Sequence, residues 1–278
     1  MEDVNPGGSL GDFLTPQFKD IRGLMEFLME HAGDLYTSNF AFLDRIRGKE
    51  VADLGSGYGY FTTALSNYTK RMDGFDVDKR AVGFATEQML PLSNGNAHFY
   101  LFDGLNTGMQ AETYDAVLSF EVLEHVPSPG KYLEEAYRII KKGGHLFLST
   151  PNGLIANKND CIIKYHAREH LTEFFPSELK ELLERAGFRI DRWYRKINVI
   201  NDEKRNPNKH FLRRLKIRII CKLKTNDFTY TTLKAIMKLV AGQRYPYDNF
   251  KDYEIVETEY KEINPANCDV ILIDACKP

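Results

Sequence analysis

Apolar positions recur along this chain in two rhythms. Phe18, Ile21, Leu24, Met25, Phe27 and Leu28 return at helical spacing, and Phe40, Phe42, Leu43 and Ile46 continue that spacing over residues 35–46. From Lys49 the rhythm changes. Short apolar runs at 50–54, 71–77, 97–102, 114–120, 145–149 and 188–197 have strand length, and amphipathic stretches separate them. The helices expected between them run from a glycine turn to about Tyr68, over 78–90, from about Ser128 to Lys141, and over 177–186. Asp78 is placed to cap its helix, and Gly187 closes the last one. Strands alternating with helices at this pitch predict a parallel sheet covered on both faces. Ligands then bind at the carboxyl ends of the strands, near the point where strand order reverses.

The stretch from Val51 to Phe61 organises the rest. Val51, Ala52, Asp53 and Leu54 form a buried strand; Gly55, Ser56, Gly57, Tyr58 and Gly59 form a turn; a helix opens at Tyr60. The Gly-x-Gly-x-Gly spacing differs from the Gly-x-Gly-x-x-Gly of dinucleotide enzymes. Asp53 precedes the first glycine by two residues, and Asp76, followed by Val77, ends the next apolar run. That is the offset of ~20 residues at which a carboxylate grips ribose hydroxyls. The alternatives are a bare tight turn and a dinucleotide-type Rossmann site.

These residues resemble the class I S-adenosyl-L-methionine (SAM)-dependent methyltransferases over about residues 34–200 and the last ten. The resemblance implies a Rossmann-like α/β fold: seven mostly parallel strands with an antiparallel last strand, N-terminal helices, and a helical insert before that strand. It divides the chain into a helical cap (1–48), a SAM-binding core (49–200), a basic helical insert or lid (201–262) and the terminal strand (263–278). The glycine turn would hold the methionine end of SAM and Asp76 the ribose. Asp103, with Gly104, would accept the adenine amino group, unless it only turns its loop. The backbone of Phe120 and Glu121 would meet the methionine portion.

A second constellation follows the fourth strand. If residues 121–126 are helical, Glu121, Glu124 and His125 share one face and offer two oxygens and an imidazole to a divalent cation. The segment resembles ubiquinone-biosynthesis O-methyltransferases and, with the later His170, small-RNA 3′-terminal ribose methyltransferases. His170, within His170-Leu171-Thr172-Glu173-Phe174-Phe175-Pro176, also resembles a histidine of sugar and natural-product O-methyltransferases. Three readings stand: magnesium or another divalent cation on Glu121, Glu124, His125 and His170; His170 or His125 as a metal-free general base; or a structural Glu-His cap. A hydroxyl becomes a useful nucleophile only as its proton leaves, and either of the first two arrangements removes it.

Between the sixth strand and the terminal strand lie roughly sixty residues, too many for a bare loop. Residues 204–224 hold nine Lys or Arg and no acid, with Phe211, Leu212, Leu215, Ile219, Ile220 and Leu223 interleaved. Such a basic amphipathic stretch suits a lid, an anionic membrane surface or RNA phosphates. Composition narrows the partners little: net charge is −2, with 43% hydrophobic and 27% charged residues. A net charge that small gives no field of the kind that wraps nucleic acid around a whole protein. Cys161, Cys221, Cys268 and Cys276 form no Cys-x-x-Cys pair. With no secretory pattern at residues 1–7, the expected setting is reducing and cytoplasmic, or peripheral at a membrane.

The expected activity is transfer of the SAM methyl group to the oxygen of a small hydroxylated acceptor: a sugar, a quinol-like or a lipid-linked metabolite. The alternatives are a metal-dependent RNA terminal ribose 2′-O-methyltransferase and a catalytically silent SAM-fold subunit.

Overall fold

The structure, a computed structural model, describes residues 18–31, 41–156, 162–164, 170–198, 253–260, 263 and 270–278. Its centre is one twisted sheet. The strands are β1 (Glu50–Leu54), β2 (Arg71–Asp76), β3 (Ala97–Leu101), β4 (Tyr114–Phe120), β5 (Ile140–Pro151), β8 (Arg189–Asn198), β9 (Tyr253–Thr258) and β10 (Val270–Cys276). Their order is β3-β2-β1-β4-β5-β10-β8-β9. Pairing is parallel from β3 through β5, whereas β10 runs antiparallel to both β5 and β8. This is the expected sheet with an eighth strand at its edge. β9 pairs antiparallel with β8 and comes from the end of the segment expected to be helical. A separate ribbon joins β6 (Leu154–Ala156) to β7 (Ile162–Lys164).

Period-two alternation divides the core into two layers, because successive strand side chains point to opposite faces. Val51, Met72, Ala116, Leu118 and Phe147 pack on α1 (Ile21–His31), α2 (Leu43–Ile46) and α3 (Tyr60–Ser66). Ala52, Leu54, Phe75, Val117, Leu146 and Leu148 pack on α5 (Pro129–Ile139) and α6 (Pro176–Arg185). Burial of such side chains is worth about 1.5–3 kcal/mol each, so the continuous apolar strands hold the sheet between its helices. The helix expected over 78–90 is α4 (Lys79–Phe84), which widens into a π turn (Ala85–Met89) and tightens at Leu90–Leu92 around Pro91. Asp78 caps it: its Oδ1 accepts from the Arg80 amide at 2.8 Å.

Chain order along the sheet reverses between β1 and β4. The loops after β1, β2, β3 and β4 therefore diverge there and leave a crevice at the strands' carboxyl ends. The basic stretch 204–224, with every expectation attached to it, lies outside the described residues.

Candidate functional site

That crevice is a cavity of about 560 Å³. Each of the first four parallel strands supplies part of its wall: Gly55 after β1, Asp76 and Val77 at the end of β2, Phe102–Leu105 after β3, and Glu121–Val122 after β4, with His125–Ser128 and Tyr132 beyond.

The glycine turn adopts the conformation its spacing predicts. Gly55 has φ +85°, and a Cβ there would lie 2.4 Å from a Val122 methyl carbon. Only glycine lets the β1 and β4 loops approach so closely. At Gly57, φ is +53° and a Cβ would meet nothing within 4 Å, so open space lies over the turn. The Gly57 amide donates to Asp76 Oδ2 at 2.7 Å and the Asp78 amide to Oδ1 at 2.9 Å. Two backbone bonds thus fix the carboxylate at the cavity wall, and each oxygen keeps a lone pair for a ligand hydroxyl.

The other residues expected to hold the cofactor divide into two groups. Asp103 lines the cavity and also turns its loop: Oδ1 accepts from the amides of Leu105 and Asn106 at 2.8 and 2.7 Å. These backbone bonds hold its carboxyl below the usual range. Gly104, Val77 and Glu121 line the cavity too. Asp53, Ser56, Gly57, Tyr58, Gly59 and Phe120 are not among its wall residues. Asp53 is buried behind the turn, where Thr62 Oγ1 donates to it at 2.6 Å. Burial pushes its pKa up to about 6 against that hydrogen bond. Tyr58 lies edge-on to Phe84, and Phe120 stacks on Phe42.

The second constellation forms differently from the expected helix. Glu121 sits at φ +56°, so a helix cannot start there, and only a 3₁₀ turn, Leu123–His125, follows. A non-glycine residue in this region costs on the order of 1–3 kcal/mol. Ser149 on the neighbouring β5 supports it: its Oγ donates to Glu121 Oε1 at 2.6 Å, and its carbonyl accepts from the Glu121 amide at 3.1 Å. Glu121 therefore shares no helical face with Glu124 and His125.

Glu124, His125 and His170 do converge, with one donor atom of each within 4.8 Å of the others. Glu124 is buried. Thr150 Oγ1 donates to its Oε2 at 2.9 Å, while Oε1 has no hydrogen-bond partner among the described residues. Burial, then the charge of Glu121, pushes its pKa up to about 8. Its carbonyl accepts from the amides of Leu171 and Thr172, which ties the His170 segment to this turn. The rings of His125 and His170 meet edge to face at 4.8 Å between centroids. His170 Nδ1 lies 2.6 Å from the buried carboxylate of Glu173.

Several partners escaped the sequence reading. Thr150 and Ser149 act on Glu124 and Glu121, which are distant in sequence, whereas Glu173 lies only three residues from His170, within the same segment, with no spacing that marks it as a partner. Tyr132 reaches the cavity from α5, with its hydroxyl 2.7 Å from Ser119 Oγ and 3.3 Å from the Leu54 carbonyl. Helical periodicity marks Tyr132 as buried, but not as facing a ligand.

The family model for the methyltransferase domain matches residues 28–192, more than half of the chain. A "Probable S-adenosylmethionine-dependent methyltransferase" of Mycolicibacterium smegmatis is 29% identical over 152 residues, which cover 53% of this chain but only 54% of that relative. A ubiquinone biosynthesis O-methyltransferase of Vibrio cholerae is 28% identical over 189 residues, 63% of this chain and 72% of its own. Among solved structures, a SAM-dependent methyltransferase of Thermotoga maritima shares the fold with a TM-score of 0.54 at 16% identity, over 93% of this chain and 96% of that one. With the glycine turn, the fixed Asp76 and the open crevice between them, the match places this chain in the class I SAM-dependent methyltransferase family.

Proposed function

We propose that the protein methylates a hydroxyl oxygen of a small acceptor and that His170 takes the hydroxyl proton. The observation that carries this is the His170–Glu173 pair: His170 is not itself a wall residue of the cavity, but its ring lies against that of His125, which is. A carboxylate accepting Nδ1–H leaves Nε2 with its lone pair and stabilises the imidazolium that forms. The acceptor oxygen attacks the methyl carbon, the carbon–sulfur bond breaks with its electrons going to sulfur, and the proton goes to Nε2. Asp76 and the turn orient the cofactor for in-line transfer. The ubiquinone biosynthesis O-methyltransferase relative supports oxygen as the acceptor atom. A sugar, a quinol-like or a lipid-linked hydroxyl fits this reading.

The donor set also fits a divalent cation. Glu124 Oε1 is buried without a hydrogen-bond partner among the described residues, and two imidazoles stand close to the Glu124 carboxylate. Glu124, His125 and His170 would hold the ion, and it would lower the pKa of a bound hydroxyl. The alternative of RNA terminal-ribose methylation calls for Glu121 as a fourth ligand, and Glu121 is not in this group.

The test is a panel of hydroxylated acceptors with SAM labelled in its methyl group. Label should appear on oxygen. His170→Ala should lower kcat about 10²- to 10⁴-fold while leaving S-adenosylhomocysteine affinity nearly unchanged. Label on nitrogen or carbon, or full activity in His170→Ala, would overturn the proposal. A chelator series on the same assay separates the free base from the ion.

A further inference from the structure

On the face of the sheet covered by α1 and α2, toward the amino end of β5, lies a second cluster of ligating groups, set apart from the cavity by the length of the strands. Cys276 on β10 is paired in register with His145 on β5 and with Arg189 on β8. One donor atom each of His145, Asp191 and Cys276 lie within 4.8 Å of one another.

Two features mark this as a built arrangement. First, the β10–β8 register slips between Asp274 and Ala275: Ala275 faces Ile190 and Asp274 faces Arg192, so Asp191 is the extra residue of a β-bulge. Bulges re-aim side chains, and this one brings a carboxylate to Cys276. Second, His145 is oriented from behind. Its Nδ1 lies 2.6 Å from Oδ1 of Asp274, which is fully buried and also accepts from Arg45 at 2.9 Å. A buried carboxylate on one imidazole nitrogen is the outer shell that metal-binding histidines use, and it leaves Nε2 to ligate.

From this juxtaposition we infer that His145, Asp191 and Cys276 form a three-ligand site for a zinc-class divalent cation, with water completing a tetrahedron. Nitrogen, thiolate and carboxylate together suit an ion of borderline softness and do not suit magnesium. On binding, the Cys276 thiol proton leaves to solvent and the sulfur bonds the ion. Two arginines must yield: Arg189 releases Asp191, now 2.8 Å away, and Arg45 gives up a long contact of 3.4 Å to Nε2 while keeping Asp274. Arg189 is largely exposed, so its ion pair is a weak competitor. Burial, and then Asp191, push the Cys276 thiol up. A bound ion would tie β5, β8 and β10 together beneath α2.

Cobalt(II) titration of chelator-treated protein tests this, read by thiolate-to-cobalt charge-transfer absorption. One equivalent should give the band, and zinc should displace the cobalt. Cys276→Ser should abolish the band, and Asp191→Asn should weaken binding at least 10-fold. The double variant His125→Ala, His170→Ala should keep the band. No band, a band that survives Cys276→Ser, unchanged affinity in Asp191→Asn, or loss of the band in the double variant would each overturn the inference. Should Cys276→Ser fail to fold, the two remaining variants decide.

Discussion

Both rims of the central sheet carry carboxylates, and the fold treats the two sets oppositely. Toward the amino ends of the strands, acids meet cations. Lys141 and Lys70 donate to Glu50 and hold its pKa down to about 2, and Arg45 and His145 flank the buried Asp274. Toward the carboxyl ends, Asp53 and Glu124 meet hydroxyls instead, from Thr62 and Thr150, and burial pushes them up to about 6 and about 8. A hydroxyl satisfies one lone pair but cancels no charge. The first rim is therefore built for stability. The second holds acids whose burial favours the neutral form, and a sulfonium cofactor or a cation beside them would return them to the charged form. The one strained non-glycine residue of the cavity wall, Glu121, is also on the second rim.

That contrast can be broken in a graded way. Arg45→Met removes the cation from the buried Asp274, which keeps His145, and should cost about 3 kcal/mol in urea unfolding, with S-adenosylhomocysteine affinity unchanged. Asp76→Ala should do the reverse: calorimetry should show binding about 100-fold weaker, with stability nearly intact. A loss of affinity in the first variant, or none in the second, would erase the distinction between the rims.

A smaller effect concerns pH. The folded pKa of Asp53 lies above its ordinary value of 3.8, at about 6, so the folded protein binds this proton more tightly than the unfolded chain. Its contribution to stability is then complete below the unfolded value and is lost as pH rises from about 4 to about 6. The loss should be on the order of 2 kcal/mol, and Asp53→Asn should remove it from the pH profile of unfolding. Glu50 has the opposite sign: its contribution is present above 4.5 and is lost as pH falls toward 2. Because its partner Lys70 is mostly exposed, Lys70→Ala should cost less than about 1 kcal/mol.

Much of the fold was legible in one dimension. Most apolar runs became strands within a residue or two of their expected ends, though β5 begins at Ile140 rather than at His145; Asp78 capped its helix, and Asp76 reached the cavity wall beside the glycine turn. The misreadings have a common origin. Residues 121–126 have helical spacing, yet Ser149 on β5 holds Glu121 in a left-handed conformation that forbids the helix. The strand β9 exists only because β8 offers it an edge.

The sequence alone determined the layering, the family and the glycine turn, because periodicity, glycine spacing and capping act over a few residues and leave a local imprint. Only the tertiary structure decided which acids meet a cation and which meet a hydroxyl, which histidine has a carboxylate behind it, and where a bulge turns Asp191 toward Cys276. Those outcomes depend on which strand ends become neighbours, and long-range packing sets that with no local signature in the chain.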